Sequence, residues 1–256
     1  MKHLFLIVLF ACISISAFAQ RESEYDAGYD TTLPFYYNPF ELGVVFSGNV
    51  DYRFLIVDEE AGSNYPAGWI EDRKYQRMER EIPRFGYNVA VKTTINVNHY
   101  FGIEVGLQHA RVSYRYKYRT PSNVIYIGDP ERLTDYRHIV KHVGVPVGLK
   151  MGFGTGKVRF TVANGVELNY TYYAKQRNIY TIDNNLSRME TIDLKGNSSG
   201  NVTVYGSLGV DYYFLRNLRV NASPIFRYSI IKIHEDQTIS SHPWSAGLSL
   251  GIHYGF

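Results

Sequence analysis

The chain has 256 residues, with 27 basic and 24 acidic side chains and a formal net charge of +3. That near-balance gives no electrostatic case for nucleic acid. Tyr (23) and Phe (14) are abundant, whereas the single cysteine, Cys12, excludes disulfide pairs and a cysteine metal site.

Residues 1–19, MKHLFLIVLFACISISAFA, combine a basic Lys2, an apolar run from Leu4 to Ala11 and the small-x-small site Ala17-Phe18-Ala19. This is the pattern of a secretory signal peptide cut after Ala19. Acylation at Cys12 is the competing outcome, but Phe10 is bulky for it and apolar sequence continues beyond the cysteine. Residues 20–38 are polar, with Tyr and Pro and no clear period, and are expected to form a short periplasmic leader. No later stretch is apolar enough for a transmembrane helix.

From residue 39 to 256 the chain alternates with a period of two, the mark of strands with one apolar and one polar face. The first segment sets Phe40, Leu42, Val44, Phe46, Val50, Tyr52 and Phe54 against Glu41, Ser47, Asn49, Asp51 and Arg53. The second sets Phe85, Tyr87, Val89 and Val91 against Gly86, Asn88, Ala90 and Lys92. The third begins with Phe101, Ile103, Val105 and Leu107 against Glu104 and Gln108. Near His109 its phase slips to Val112, Tyr114, Tyr116 and Tyr118, as a β-bulge or a strand already outside the membrane would explain.

The fourth segment runs Val143, Val145, Val147, Leu149, Met151 and Phe153, alternating with Gly144, Pro146, Gly148, Lys150 and Gly152. After a turn at Gly154–Lys157, the fifth carries Val158, Phe160, Val162, Val166, Leu168, Tyr170 and Tyr172 opposite Arg159, Thr161 and Glu167, with Asn164 breaking the apolar face. The sixth carries Val204, Leu208, Val210, Tyr212 and Phe214 against Asp211, and the seventh Leu218, Val220, Phe226 and Tyr228 against Arg219 and Arg227. Pro146 and Pro224 remove ladder donors and are expected at bulges. The eighth is the cleanest: Trp244, Ala246, Leu248, Leu250, Ile252, Tyr254 and Phe256 alternate with small or polar residues to the last position.

The connections alternate long and short. Residues 55–83, 119–136, 174–200 and 232–242 are long; 96–100, 154–157 and 215–217 are short. A soluble sandwich has no reason to sort its connections by parity. Short periplasmic turns and long extracellular loops are the rule in transmembrane barrels. The expected fold is therefore all-β: an eight-stranded antiparallel transmembrane β-barrel over 39–256.

The terminal strand and the segment HVGVPVGLK (His142–Lys150) resemble the small OmpA/OmpX-type barrels, and more closely the PorT-like "outer membrane protein beta-barrel domain" group. The resemblance implies an outer-membrane location, contact with outer-membrane lipid or lipopolysaccharide, and handling by the barrel assembly machinery through Trp244, Leu248, Leu250, Ile252, Tyr254 and Phe256. It also raises a second role, as an accessory of a secretion or transport assembly with an envelope protein as partner.

Eight strands leave an interior just wide enough for side chains. Lys92, Glu104, Lys150, Arg159, Glu167, Asp211, Arg219 and Arg227 fall on the inward parity and are expected to pair as a charge network that closes the lumen. With Ile95 opposite Phe101, Lys92 faces Glu104; with Phe214 opposite Leu218, Asp211 faces Asn221 and Arg219 lies on the diagonal. His138 and His142 sit about 13 Å apart on a strand, too far to share a metal. Ser241 and His242, with Glu235 and Asp236 nearby, are the one grouping that suits the rival class, a lipid-modifying outer-membrane enzyme. The preferred expectation is a non-enzymatic surface protein without metal or cofactor.

Overall fold

A computed structural model describes residues 38–57, 74–75, 78, 81–117, 131–154, 156–182, 186–193, 200–231, 233–234 and 239–256. The expected signal peptide and all of the leader except Asn38 lie outside the described residues. The strands are β1 (Phe40–Val57), β2 (Glu81–Asn96), β3 (Phe101–Lys117), β4 (Glu131–Phe153), β5 (Val158–Ile182), β6 (Leu186–Asp193), β7 (Gly200–Leu215), β8 (Leu218–Ser229), β9 (Ile233–His234) and β10 (Ile239–Gly255). Eight of them pair antiparallel in the order β1-β2-β3-β4-β5-β7-β8-β10, and β10 pairs back onto β1 from Glu41↔Gly255 to Val57↔Ile239. The sheet is therefore a closed eight-stranded barrel with no free edge among these strands.

Alternation gives the wall its two faces. Leu42, Val44, Phe46, Val91, Leu107, Leu149, Phe160, Leu168, Leu208, Leu250 and Ile252 are exposed on the outside. Glu41, Asp51, Arg53, Thr94, Glu104, Glu167, Asp211 and Arg219 are buried within. Water would leave that outer apolar surface unpaid for, whereas hydrocarbon suits it. From Trp244 to Tyr254 is about 33 Å of strand, which at a tilt near 40° gives a belt about 25 Å tall. Aromatic contacts band its upper rim, where Trp244 packs on Tyr52, Phe54 and Phe226 and His109 packs on Tyr87 and Tyr172.

The short turns gather at one end with both described chain ends, Asn38 and Phe256; the other is the loop end. Gly154 and Gly156 take the left-handed φ values of 102° and 93° that the β4–β5 turn needs. Asn98 Oδ1 accepts from the backbone N–H groups of Tyr100 and Phe101, which fixes the β2–β3 turn. At the loop end the strands outrun the belt. Part of the expected 174–200 loop is the outer half of β5 paired with β6, and part of 232–242 is β9 and the start of β10.

Several expectations are corrected. β3 contains no bulge: it pairs with β4 in one register throughout, and Tyr114 and Tyr116 continue the inward parity and are buried, which leaves the second expectation, a strand already outside the membrane. The aromatic residues change face relative to the apolar pattern because β3 has risen above the belt. The bulge lies across from it in β2, between Pro83 and Tyr87. There Asp51 Oδ2 accepts from the Ser113 backbone N–H at 3.0 Å, replacing the partner that the bulge removes. Neither Pro146 nor Pro224 sits at a bulge. Register is the same on both sides of each, and the ladder simply skips the missing N–H. Met151, on the outward parity, is buried between its register partners Phe101 and Val162.

Candidate functional site in the barrel lumen

The interior is organised in layers. At the turn end, Arg159 donates to the His99 carbonyl and makes no ion pair among the described residues. Above it lies a floor of charges. Arg219 donates through Nε (2.8 Å) and Nη2 (2.6 Å) to Glu41 Oε2, and its Nη1 is 3.0 Å from Asp211 Oδ2. Asp211 Oδ2 also accepts from Lys150 Nζ at 2.6 Å, and its Oδ1 from Asn221 at 2.6 Å. Lys92 Nζ is 3.2 Å from Glu104 Oε2 and 5.2 Å from the centre of the Tyr205 ring. Glu104 is within electrostatic reach of Lys150 and Arg219 as well. Lys92, Lys150 and Arg219 thus balance Glu41, Glu104 and Asp211, which is the condition for keeping such charges out of water.

The register beneath this floor differs in one place from the sequence expectation. Asn96 pairs with Gly102, so Lys92 faces Gly106 and Thr94 faces Glu104. The Lys92–Glu104 contact is therefore diagonal. Asp211 does face Asn221, although the turn is closed by Leu215↔Leu218 with a one-residue shift. Glu41, the main partner of Arg219, lies on the inward parity but was not matched with it, because β1 and β8 are far apart in sequence and meet only through β10.

Higher up, Arg227 Nε donates to Glu167 at 2.9 Å and Nη1 to Asn49 at 3.1 Å. A chain of amides crosses the lumen: Asn88 donates to Gln108, Gln108 to Asn169, and Asn169 to Thr203. Gly148 and Gly165 lie beneath Tyr205. A Cβ on Gly165 would sit 2.6 Å from Gly148 Cα and 2.9 Å from Tyr205 Cε1. Near the loop end Arg53 pairs with Glu81 and stacks 4.0 Å from the centre of the Tyr114 ring, whose hydroxyl meets His138. Glu81 was hidden from sequence reasoning because it falls inside an expected loop. A cavity of about 310 Å3 occupies this upper half, lined by Asn49, Tyr114, His142, Asn169, Asn201 and Ser245 among others.

His138 and His142 have separate partners, Tyr114 and, at 3.0 Å, Thr171 Oγ1. No group of three metal-ligating side chains occurs among the described residues. Ser241 and His242 are neighbours on β10 and so point to opposite faces. The His242 ring stacks on Tyr228, and its Nδ1 contacts the Ser229 carbonyl at 2.9 Å. These two residues do not form a nucleophile–base pair; Glu235 and Asp236 lie outside the described residues.

No family model matches the chain, and no curated protein matches it in sequence. Among solved structures, Neisserial surface protein A is similar at 12% identity and a TM-score of 0.43, covering 85% of this chain and 97% of that one. The outer membrane protein OprG from Pseudomonas aeruginosa is similar at 9% identity and 0.45, covering 88% and 100%. The outer membrane protease OmpT from Escherichia coli is similar at 9% and 0.43, covering 88% and 99%. At such identities no residue of this barrel inherits a role from these proteins.

Proposed function

We propose that the chain is an integral outer-membrane protein whose lumen is closed and whose activity lies at the loop end, as a surface-interaction protein rather than an enzyme or an open pore. The single observation that carries this is the electroneutral floor of Glu41, Lys92, Glu104, Lys150, Asp211 and Arg219 inside an apolar-walled barrel. A permeating ion would have to break contacts of 2.6–3.2 Å that the floor makes with itself. The turn end faces the periplasm and the loop end the exterior, in keeping with the disposition of short turns and long connections in such barrels. Lipopolysaccharide and outer-membrane lipid surround the belt, and the β10 strand offers the assembly machinery its terminal aromatic residues.

The test is planar-bilayer recording of the refolded protein, with heat-modifiable gel migration as the sign of a folded barrel. Membrane insertion without steady conductance is expected. A large, steady conductance from the unmodified protein would overturn the closed lumen, and solubility without detergent would overturn the membrane location.

A further inference from the structure

Among the described residues, the outer wall just above the aromatic rim is basic on the β3–β5 side. Register places the side chains. Arg111 on β3 is opposite Lys141 on β4, and Lys141 is opposite Tyr173 on β5. Four residues further along β3, about 13 Å of strand, Arg115 is opposite Arg137, and Arg137 is opposite Arg177. A β5 bulge at Tyr172, where the register shifts between Lys141 and His142, switches the face and turns Tyr173, Lys175 and Arg177 outward. Lys141 Nζ and Lys175 Nζ lie 4.8 and 5.0 Å from the centre of the same Tyr173 ring. Arg84, at the β2 bulge, is within electrostatic reach of Arg137, Arg115, Asp135 and Arg111.

Among the side chains described on this wall, seven cations stand around one carboxylate: Asp135 accepts from Arg115 Nε at 2.6 Å and lies 3.9 Å from Arg137 Nε, and Arg111 is also within electrostatic reach of Asp51. Like charges directly opposite one another destabilise a sheet, and here three guanidiniums share one row. The Nε atoms of Arg111 and Arg137 are buried with no hydrogen-bond partner among the described residues. The Arg115 and Arg137 side chains remain 30% and 29% exposed, so an anion can reach them. On the opposite wall, the outward positions above Phe54 and Trp244 are Ile56, His242 and Ser240, which form no such cluster.

Resting on the membrane reading above, we propose that the β2–β5 wall is a binding site for phosphate-bearing lipid headgroups of the leaflet it faces. The tiers stand where headgroups begin, directly above His109, Tyr87 and Tyr172. Guanidinium forks match phosphate oxygens in pairs. A phosphate between Arg115, Arg137 and Arg177 turns their mutual repulsion into attraction, and the Lys141–Tyr173–Lys175 group receives a second one.

The test uses the full protein refolded in dodecyl maltoside, with bound lipid counted by native mass spectrometry. Dioleoyl phosphatidic acid should bind about tenfold or more tightly than dioleoyl phosphatidylcholine. The Arg115→Gln/Arg137→Gln variant should lose that preference, Arg177→Gln should lose about threefold of it, and Lys157→Gln, at the turn end, should keep it. Heat-modifiable migration checks each variant for folding; a chain with no folded band fails as a membrane barrel, a result distinct from a folded barrel without lipid preference. Equal binding of the two lipids, or unchanged preference in both arginine variants, would overturn the site. Displacement of the lipid by pyrophosphate at equal phosphate concentration would assign the wall to a soluble anion and overturn the lipid.

Discussion

Arg219→Met is the sharpest test of the lumen floor. Arg219 is 2% exposed and holds Glu41 by two donated hydrogen bonds and Asp211 by a charge contact. Methionine keeps the volume of the stem and removes the guanidinium. Asp211 retains Lys150 and Asn221 at 2.6 Å each, so the loss there is partial. Glu41, 3% exposed, loses both hydrogen bonds from its guanidinium partner. Stripping one member from a buried pair costs about 3–5 kcal/mol when the site stays dry, and less where water enters. The expected loss for Arg219→Met is about 3 kcal/mol, because only one of the two carboxylates is abandoned. Adding Glu41→Gln removes the stranded charge and should recover about 1–2 kcal/mol of it. Urea unfolding of the barrel in lipid vesicles, followed by tryptophan fluorescence and gel migration, measures both. A single-variant loss below about 1 kcal/mol, or no recovery in the double variant, would refute the dry, mutually dependent floor.

Two further outcomes follow from the wall itself. Asp51→Ala should cost about 1–3 kcal/mol by leaving the buried Ser113 N–H at the β2 bulge without its acceptor, whereas Asp51→Asn, which keeps an acceptor oxygen, should recover most of that; equal unfolding midpoints for the two variants would deny the cap. Gly165→Ala should destabilise by about 1–3 kcal/mol through overpacking against the Val147 carbonyl, Gly148 Cα and Tyr205. Gly206→Ala, whose added Cβ meets nothing within 4 Å, should be neutral or gain about 0.5 kcal/mol; matching losses at the two glycines would show that this close approach is not what restricts Gly165.

The eight barrel strands were legible because lipid and lumen make opposite demands on successive residues, and the pattern persists wherever both demands act. It failed where one of them ends. Tyr114 and Tyr116 are aromatic yet inward, since above the belt the interior is no longer the more polar side. Tyr205 and Tyr213 are inward within the belt and were equally invisible, because a phenol suits either face. The β5–β6 hairpin was hidden for a related reason: its exposed residues, Met189 to Ile192, have no oily face to keep. In the floor, inward parity identified the charges but not their partners. The turn counting that set Lys92 opposite Glu104 was two positions out in the pairing sum, an even error that preserves the face and moves the contact to the diagonal. Glu41 could be matched with Arg219 only once the barrel had been closed.

The same side chain meets two fates in this wall. The inward guanidiniums Arg53, Arg219 and Arg227 each have a carboxylate, and the pairs lie in separate layers from Glu81 down to Glu41. The outward ones on β3, β4 and β5 are set side by side, and of them Arg115 and Arg137 share Asp135. Folding alone has no use for that second arrangement, since glutamate at position 115 or 177 would join Arg137 across a register pair and relieve the row. Inside, the counter-charge must belong to the chain because nothing else can enter; outside, it can come from the surroundings. Arg177→Glu distinguishes these cases. If the row is only tolerated repulsion, the substitution stabilises the barrel by a few tenths to about 1 kcal/mol in neutral lipid and equally in anionic lipid. If the row is completed by phosphate, the gain appears in phosphatidylcholine and turns into a loss in vesicles containing phosphatidic acid. A gain of the same size in both vesicles would leave the basic wall without a ligand.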